Sequence, residues 1–432
     1  MKVFIDGDGC ILRKLDTNRL NNYFSLNKAE VLKSPEGADR VVYVTCGVTQ
    51  IMTELCVSKI RKYKKPNAKM LIAGCMPDIT PETLDKECPP DYQALSTRNL
   101  ENIDEIFPEF KVKFKDVALS FLLDAQRSQY VRHRFTLSKE DIRRVSKGID
   151  FIPRYLFYNF HRKINQKQFA FLVTSTGCDR HCTYCGIKTA VGRLKSLPIQ
   201  TLLDNYRSML SNGYNHIFFF SDDTGSYGED NGESFPELLR QLDKISSPDV
   251  TWAFENFHSA SLIKHFEVIN ELVKKKRIVA IECSLQHFSR SVLKRMNRRF
   301  DPDEFVRCVA KLKKSYSRLY MATHFILGFP GETEEDIALA AEYIRKAHID
   351  YYDLLQYFDN GTSPSGLLKN KVPVPTAHQR MKYISAQLTK KKILHAVFPI
   401  EILGEDADRT YVLNPSASPA ILQQQQQQQC AS

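Results

Sequence analysis

The 432-residue chain has 43% hydrophobic and 26% charged residues, the ordinary balance of a soluble globular protein. It is too long for one ordinary core, so two or three domains are expected. Its formal charge of +11 is uneven, at −1 over residues 1–110, +9 over 111–168 and +3 over 169–432, which places most of the excess in one connecting segment. The opening MKVFIDGDGC lacks a long apolar core, and no window approaches the roughly 20 apolar residues of a bilayer span. A cytoplasmic protein without membrane contact is expected. In such a setting the eleven cysteines read as reduced thiols and metal ligands rather than disulfides.

The first 110 residues alternate strand and helix. Lys2–Ile5, Arg40–Val44 and Lys69–Ala73 are short apolar runs suited to buried parallel strands, with helical patterns at Asp16–Asn27 and Gln50–Tyr63 between them. A small doubly wound α/β domain follows from that alternation. Cys10 comes soon after the first run, Cys46 closes VVYVTCG and Cys75 closes KMLIAGC. Parallel strands share a C-terminal edge where ligands bind, so these three thiols would meet there and could hold an iron-sulfur cluster with one open iron. Cys56 and Cys88 lie off the strand ends and read as packing residues.

Residues 111–168 interleave basic side chains with Phe114, Phe121, Tyr130, Phe135, Phe151, Tyr155, Phe157, Tyr158 and Phe160. Nucleic-acid surfaces have this composition, and so does a solvated helical linker whose aromatics pack on its neighbours. Beyond it, six strand-like runs recur: Phe169–Thr174, His216–Phe220, Val250–Phe254, Arg277–Cys283, Leu319–Leu327 and Tyr351–Tyr357. Helical patterns separate most of them, at Ile199–Ser211, Phe235–Ile245, Ser261–Lys276, Asp303–Ser315 and Glu334–Ala347. Six βα units predict a partial (β/α) barrel with its chemistry at the C-terminal strand ends.

The loop after the first of those strands is TSTGCDRHCTYCGIKTAVGRLKS, with Cys178, Cys182 and Cys185 in a Cys-x3-Cys-x2-Cys run. Three thiolates in one loop suit a [4Fe-4S] cluster and leave one iron open. A zinc loop is the bland alternative, but zinc sites usually add a second cysteine pair and none follows.

This loop, with Tyr184 before its last cysteine, resembles the radical S-adenosylmethionine signature. The stretches Asp223–Gly228, Leu285-Gln286, Val292–Arg298 and Gly328–Asp336, with Cys10, Cys46 in VTCGV and Cys75 in AGCMP, resemble the methylthiotransferase family within it. The resemblance covers roughly residues 1–110 and 169–395. It implies an N-terminal α/β domain over 1–110 with an auxiliary cluster on Cys10, Cys46 and Cys75, a basic connector over 111–168, a radical SAM (β/α)6 barrel over 169–398 with a cluster on Cys178, Cys182 and Cys185, and a tail over 399–432. The implied cofactors are two [4Fe-4S] clusters and S-adenosylmethionine, contacted by Tyr184, Arg193, Ser196, Gln286, Gly328 and Gly331. Arg193 and Ser196 would hold the cofactor's carboxylate, and the two glycines would let backbone approach its adenosine. The implied reaction inserts sulfur and a methyl group at an unactivated C–H bond, fed by a reductant such as flavodoxin or ferredoxin.

Departures from the family bear on the substrate. The small C-terminal β-barrel that binds RNA in the family is not expected here, since only about 35 residues follow Ala396 and they include the run Gln423–Gln429. Ile-Leu-Arg-Lys after Cys10 replaces the family's Gln-Met-Asn type. Three readings follow: methylthio transfer to a tRNA adenosine, with the basic connector making the phosphate contacts; the same chemistry on a protein side chain or peptide; and a non-catalytic iron-sulfur protein or sulfur carrier.

Overall fold

A computed structural model describes residues 1–117, 169–359, 361–398 and 412–413. Most of the basic connector, 118–168, and the tail from 399 apart from 412–413 lie outside the described residues.

The N-terminal sheet holds β1 (Lys2–Gly7), β2 (Glu30–Leu32), β3 (Arg40–Thr45), β4 (Lys69–Gly74) and β5 (Gln93–Ser96) in the order β2-β1-β3-β4-β5, all parallel. Period-two alternation explains why both faces are covered. Val42, Val44, Leu71 and Ala73 pack with Leu20, Tyr23 and Phe24 of helix α1 (Ile11–Leu26). Val41, Tyr43, Met70 and Ile72 point the other way, onto Cys56 and Ile60 of α2 (Gln50–Tyr63) and onto Cys88. Cys56 and Cys88 are therefore packing residues. Helix α1 begins at Ile11, five residues before the Asp16 expected from sequence, and that added turn reaches the second domain. Ile11, Leu12 and Leu15 are buried in the barrel's own core.

The second sheet runs β6 (Phe169–Val173), β9 (His216–Phe220), β10 (Thr251–His258), β11 (Ile278–Ser284), β12 (Tyr320–Leu327), β13 (Tyr351–Gln356) and β14 (Leu394–Phe398), all parallel in that spatial order. Six strands match the expected runs. The seventh, β14, was not expected, because LHAVF is a short run after a lysine-rich helix end and is fixed only by pairing with β13. An antiparallel strand, β15 (Val412–Leu413), pairs with β14. Strand β10 continues past the expected Phe254 through a register shift at Phe254/Phe257, with Asn256 at φ +52°. A small hairpin of β7 (Ser175–Thr176) and β8 (Lys195–Ser196) closes the base of the three-cysteine loop. No described helix is long and apolar enough to cross a membrane.

Candidate functional site: two facing cysteine triads

Strand order reverses between β1 and β3, and in flavodoxin-type sheets that switch point opens the ligand crevice at the C-terminal edge. Cys10 precedes the first residue of α1 there, Cys46 follows β3, and Cys75 follows β4 and leads into α3 (Met76–Ile79). Gly9 adopts φ +121°, and a Cβ on it would lie 2.9 Å from the Cys46 Cβ, so only glycine lets the β1 turn come so close. Burial pushes the Cys46 thiol well up, and the neighbouring Cys75 and Cys10 push it further. The Cys75 thiol is pushed up to about 12 by burial, against the pull of Arg13.

The second triad hangs between the β7–β8 hairpin and the barrel mouth. Gly177 turns at φ +76°, where a Cβ would collide with the Arg193 carbonyl at 1.9 Å, and its N–H donates to Asp222 Oδ2 at 2.8 Å. The Cys178 N–H donates to Gly192 O at 3.2 Å and the Cys185 N–H to Cys182 O at 3.3 Å. Thr183 ties the loop to the segment after β11, its N–H on Met296 O at 3.1 Å and its hydroxyl on Arg295 O at 2.8 Å. Two arginines brace it. Arg180 donates to Asp223 Oδ2 at 2.7 Å, Ser226 Oγ at 2.9 Å and Ser261 Oγ at 2.8 Å. Buried Arg298 reaches Tyr184 Oη at 3.1 Å, Cys182 Sγ at 3.5 Å and the Ser284 carbonyl. Burial pushes the Cys185 thiol up to about 11 and raises Cys178 as well, with Asp223 adding to the latter.

The triads face one another. The helix Ile187–Val191, just after Cys185, packs on α3, so that Ala190 and Val191 join Cys75 and Ile79 in one apolar cluster. Asp222 at the end of β9 lies close enough to raise the thiols of both Cys75 and Cys185. All six cysteines are free thiols. Among the described residues no three His, Cys, Asp or Glu side chains are drawn together tightly enough for a single metal ion. Zinc would need such a knot, whereas a cubane takes thiolates at separate corners. Three thiols per triad are the donor set of a cubane that leaves one iron for another ligand. Cys46, Cys75, Cys178 and Cys185, whose thiols burial holds up, would release protons on binding iron.

The expected S-adenosylmethionine contacts divide. Gln286 is buried at φ +72° after β11, and its side-chain oxygen has no hydrogen-bond partner. Tyr184 packs on Val292, Met296, Ile326 and Phe329 beside the loop and accepts from Arg298. Arg193 does not match its expected role. Its side chain is 80% exposed and forks onto Asp179 at 2.5 and 3.0 Å, because proximity in sequence to the loop does not fix the direction of a hairpin side chain. Ser196 is structural, accepting from the Gly228 N–H at 2.9 Å. Gly328 and Gly331, at φ +79° and +76°, leave room for protein: a Cβ would lie 2.7 Å from Ala377 Cβ and 3.1 Å from Arg295 Nε respectively.

Sequence reasoning missed a polar group inside the barrel. A cavity of about 30 Å³, roughly the room of one water, is lined by Glu255, Glu282, Tyr320, His324, Tyr351 and Asp353 among others. His324 Nε2 lies 3.2 Å from Glu282 Oε1 and 3.4 Å from Asp353 Oδ2, and Tyr351 Oη donates to Asp353 Oδ1 at 2.8 Å. The available signal was a charged residue two places after a small or aromatic one on an inward-facing strand position, as in Ala280-x-Glu282, Ala322-x-His324 and Tyr351-x-Asp353.

Residues 172–344 match the radical SAM superfamily, and residues 2–94 match the uncharacterized protein family UPF0004. A ribosomal protein uS12 methylthiotransferase of Carboxydothermus hydrogenoformans is 24% identical over 442 residues, covering 98% of this chain and 92% of that one. A tRNA-2-methylthio-N(6)-dimethylallyladenosine synthase of Fervidobacterium nodosum is 26% identical over 411 residues, covering 94% and 87%. The chain belongs to the radical S-adenosylmethionine methylthiotransferase family. This methylthiotransferase is a transferase whose cofactors are S-adenosylmethionine and two [4Fe-4S] clusters, so the non-catalytic reading falls away. The solved radical SAM methyltransferase TsrM of Kitasatospora setae shares the fold at 10% identity, with a TM-score of 0.55 over 85% of this chain and 74% of that one.

Proposed function

We propose that this methylthiotransferase inserts a methylthio group at an unactivated C–H bond of a tRNA adenosine. The observation that carries the reading is the pair of cysteine triads brought together where α3 packs on the helix Ile187–Val191. Cys178, Cys182 and Cys185 would hold the cluster that binds S-adenosylmethionine, and Cys10, Cys46 and Cys75 the auxiliary one. Bound together, cofactor and first cluster would supply radical chemistry and the second cluster would supply sulfur, chemistry that belongs to the groups themselves. The chain's own residues position and enclose. Arg298 and Arg180 fix the cysteine loop, Gln286 offers an unpartnered carbonyl oxygen at the mouth, and the packed α3 contact sets Cys75 beside the helix that follows Cys185.

The excess of nine positive charges over residues 111–168 supports an RNA partner, and those residues would make the phosphate contacts. A flavodoxin- or ferredoxin-type reductant and a cytoplasmic setting complete the reading. A second reading, the same chemistry on a ribosomal-protein side chain, is favoured by the acidic barrel interior at Glu255, Glu282 and Asp353. Repulsion of phosphate by carboxylates at that end of the barrel, and the likeness to a ribosomal protein uS12 methylthiotransferase, support it. Titration of tRNA onto anaerobically reconstituted enzyme at rising salt separates the two. Affinity that falls steeply with salt, together with a methylthio mass increment in a tRNA nucleoside, is expected; salt-insensitive binding, or the increment appearing only in a protein digest, would sink the RNA reading.

A further inference from the structure

We propose that Arg13 is an anion-binding residue that holds a small sulfur anion, hydrosulfide or an alkanethiolate, at the non-cysteine iron of the Cys10/Cys46/Cys75 cluster. The inference rests on the two-cluster reading above. Arg13 lies in the first turn of α1, three residues after Cys10, and is 4% exposed. One amine pairs with Asp16 at 3.0 Å, while Nε and Nη1 are enclosed with no hydrogen-bond partner. A Cβ on Gly9 would lie 2.9 Å from Cys46 Cβ and 3.2 Å from Arg13 Cγ, so the side chain stands at the triad, where it also acts on the Cys75 thiol.

A buried guanidinium with two idle donors is costly unless something accepts from them. Ile11, Leu12 and Leu15 of the same turn are aliphatic, and the turn's other buried cation, Lys14, lies in the field of Asp8 and Asp6 rather than of the thiols that surround Arg13. The missing acceptor has to be small, because the guanidinium is enclosed. It has to be anionic and lie beside Cys10 and Cys75. Three thiolates leave a cubane net negative, and a sulfur anion on its open iron adds to that charge. A cation with free N–H groups at that corner offsets the charge and supplies charge-assisted hydrogen bonds to the incoming sulfur. The match between donor and ligand is therefore one of both sign and size.

The test uses the full chain with Cys178, Cys182 and Cys185 replaced by Ala, so that iron reports on the N-terminal site alone. After anaerobic reconstitution, methanethiolate is titrated and its binding followed through the electron paramagnetic resonance signal of the reduced cluster. With about four irons retained, Arg13→Gln and Arg13→Asn should each bind methanethiolate roughly tenfold more weakly or worse, the loss expected for one charge-assisted hydrogen bond. Arg13→Lys should restore most of the affinity, and the cluster potential should fall in the two neutral variants. Either neutral variant that keeps its iron and binds methanethiolate as tightly as Arg13 does overturns the inference. Absence of iron even with Arg13 in place overturns the two-cluster reading instead.

Discussion

Arg298 is the cation on which the barrel's cysteine loop leans. It is 4% exposed and joins three segments: the loop through Cys182 and Tyr184, the end of β11 through Ser284, and its own turn after Met296. Arg298→Met would leave those acceptors buried, and a loss of about 3 kcal/mol is expected from breaking such a buried charged contact. Thermal unfolding of the apo chain measures it, and iron analysis should show the Cys178/Cys182/Cys185 cluster depleted. The same guanidinium, with Arg180, depresses His258, whose proton affinity burial has already lowered far below the usual histidine value. Its Nδ1 accepts from the Ala260 N–H at 3.1 Å, so the neutral ring is the one that fits. Below the ordinary value of about 6.5 the unfolded ring takes a proton that the folded one refuses, so stability is complete above that pH and falls beneath it. His258→Asn keeps a capping acceptor and removes the titration. Urea unfolding at pH 7.5 and 5.5 should show the unreplaced apo chain losing about 1.4 kcal/mol more per pH unit below 6.5 than the variant. Equal slopes would mean that His258 does not resist protonation in the fold.

Helix α1 is the element that makes two domains into one device. Its C-terminal half packs on the N-terminal sheet through Leu20, Tyr23 and Phe24, while its first turns pack into the barrel core through Ile11, Leu12 and Leu15. Leu15→Ala should cost about 3 kcal/mol for the lost burial and the cavity left behind, and hydrogen exchange should show protection lost first in residues 11–15 rather than across the N-terminal sheet. This is also where sequence reading fell short. Apolar runs such as VVYV and KMLIAG announced β3 and β4 because parallel strands buried on both faces need continuous apolar residues. Those strand ends then placed Cys46 and Cys75 correctly, but the first turn of α1, ILRKL, mixes two cations into an apolar run. The reason becomes visible only when the barrel and the triad lie on either side of it. Arg193 failed for the converse reason. Its place beside the loop was legible, whereas its outward direction depends on Asp179 across the hairpin. The barrel cavity escaped because Glu282, His324 and Asp353 are far apart in sequence and meet only through the pairing of β11, β12 and β13.

At the scale of the molecule, two parallel sheets turn their C-terminal edges toward each other and so bring two thiol triads, 103 residues apart between Cys75 and Cys178, to one contact between the domains. That arrangement divides labour between the edges, because the barrel triad has the arginine-braced loop and the mouth residue Gln286, while the N-terminal triad has neither. Removing one triad should then abolish one half-reaction and spare the other. Cys46→Ala is expected to retain about four of roughly eight irons, to keep cleaving S-adenosylmethionine to 5′-deoxyadenosine under reduction, and to yield no methylthio product. Cys182→Ala should retain a similar amount of iron but form no 5′-deoxyadenosine at all. Chromatography of the nucleoside products and mass spectrometry of the acceptor read the two halves independently. Burial makes this separation sharper: the Cys46 thiol sits among apolar residues and other thiols rather than in the arginine network of the barrel, so its loss leaves the barrel loop's own contacts to Met296, Arg295 and Asp222 in place. A Cys46→Ala enzyme that still formed methylthio product would show that sulfur reaches the acceptor without the N-terminal edge.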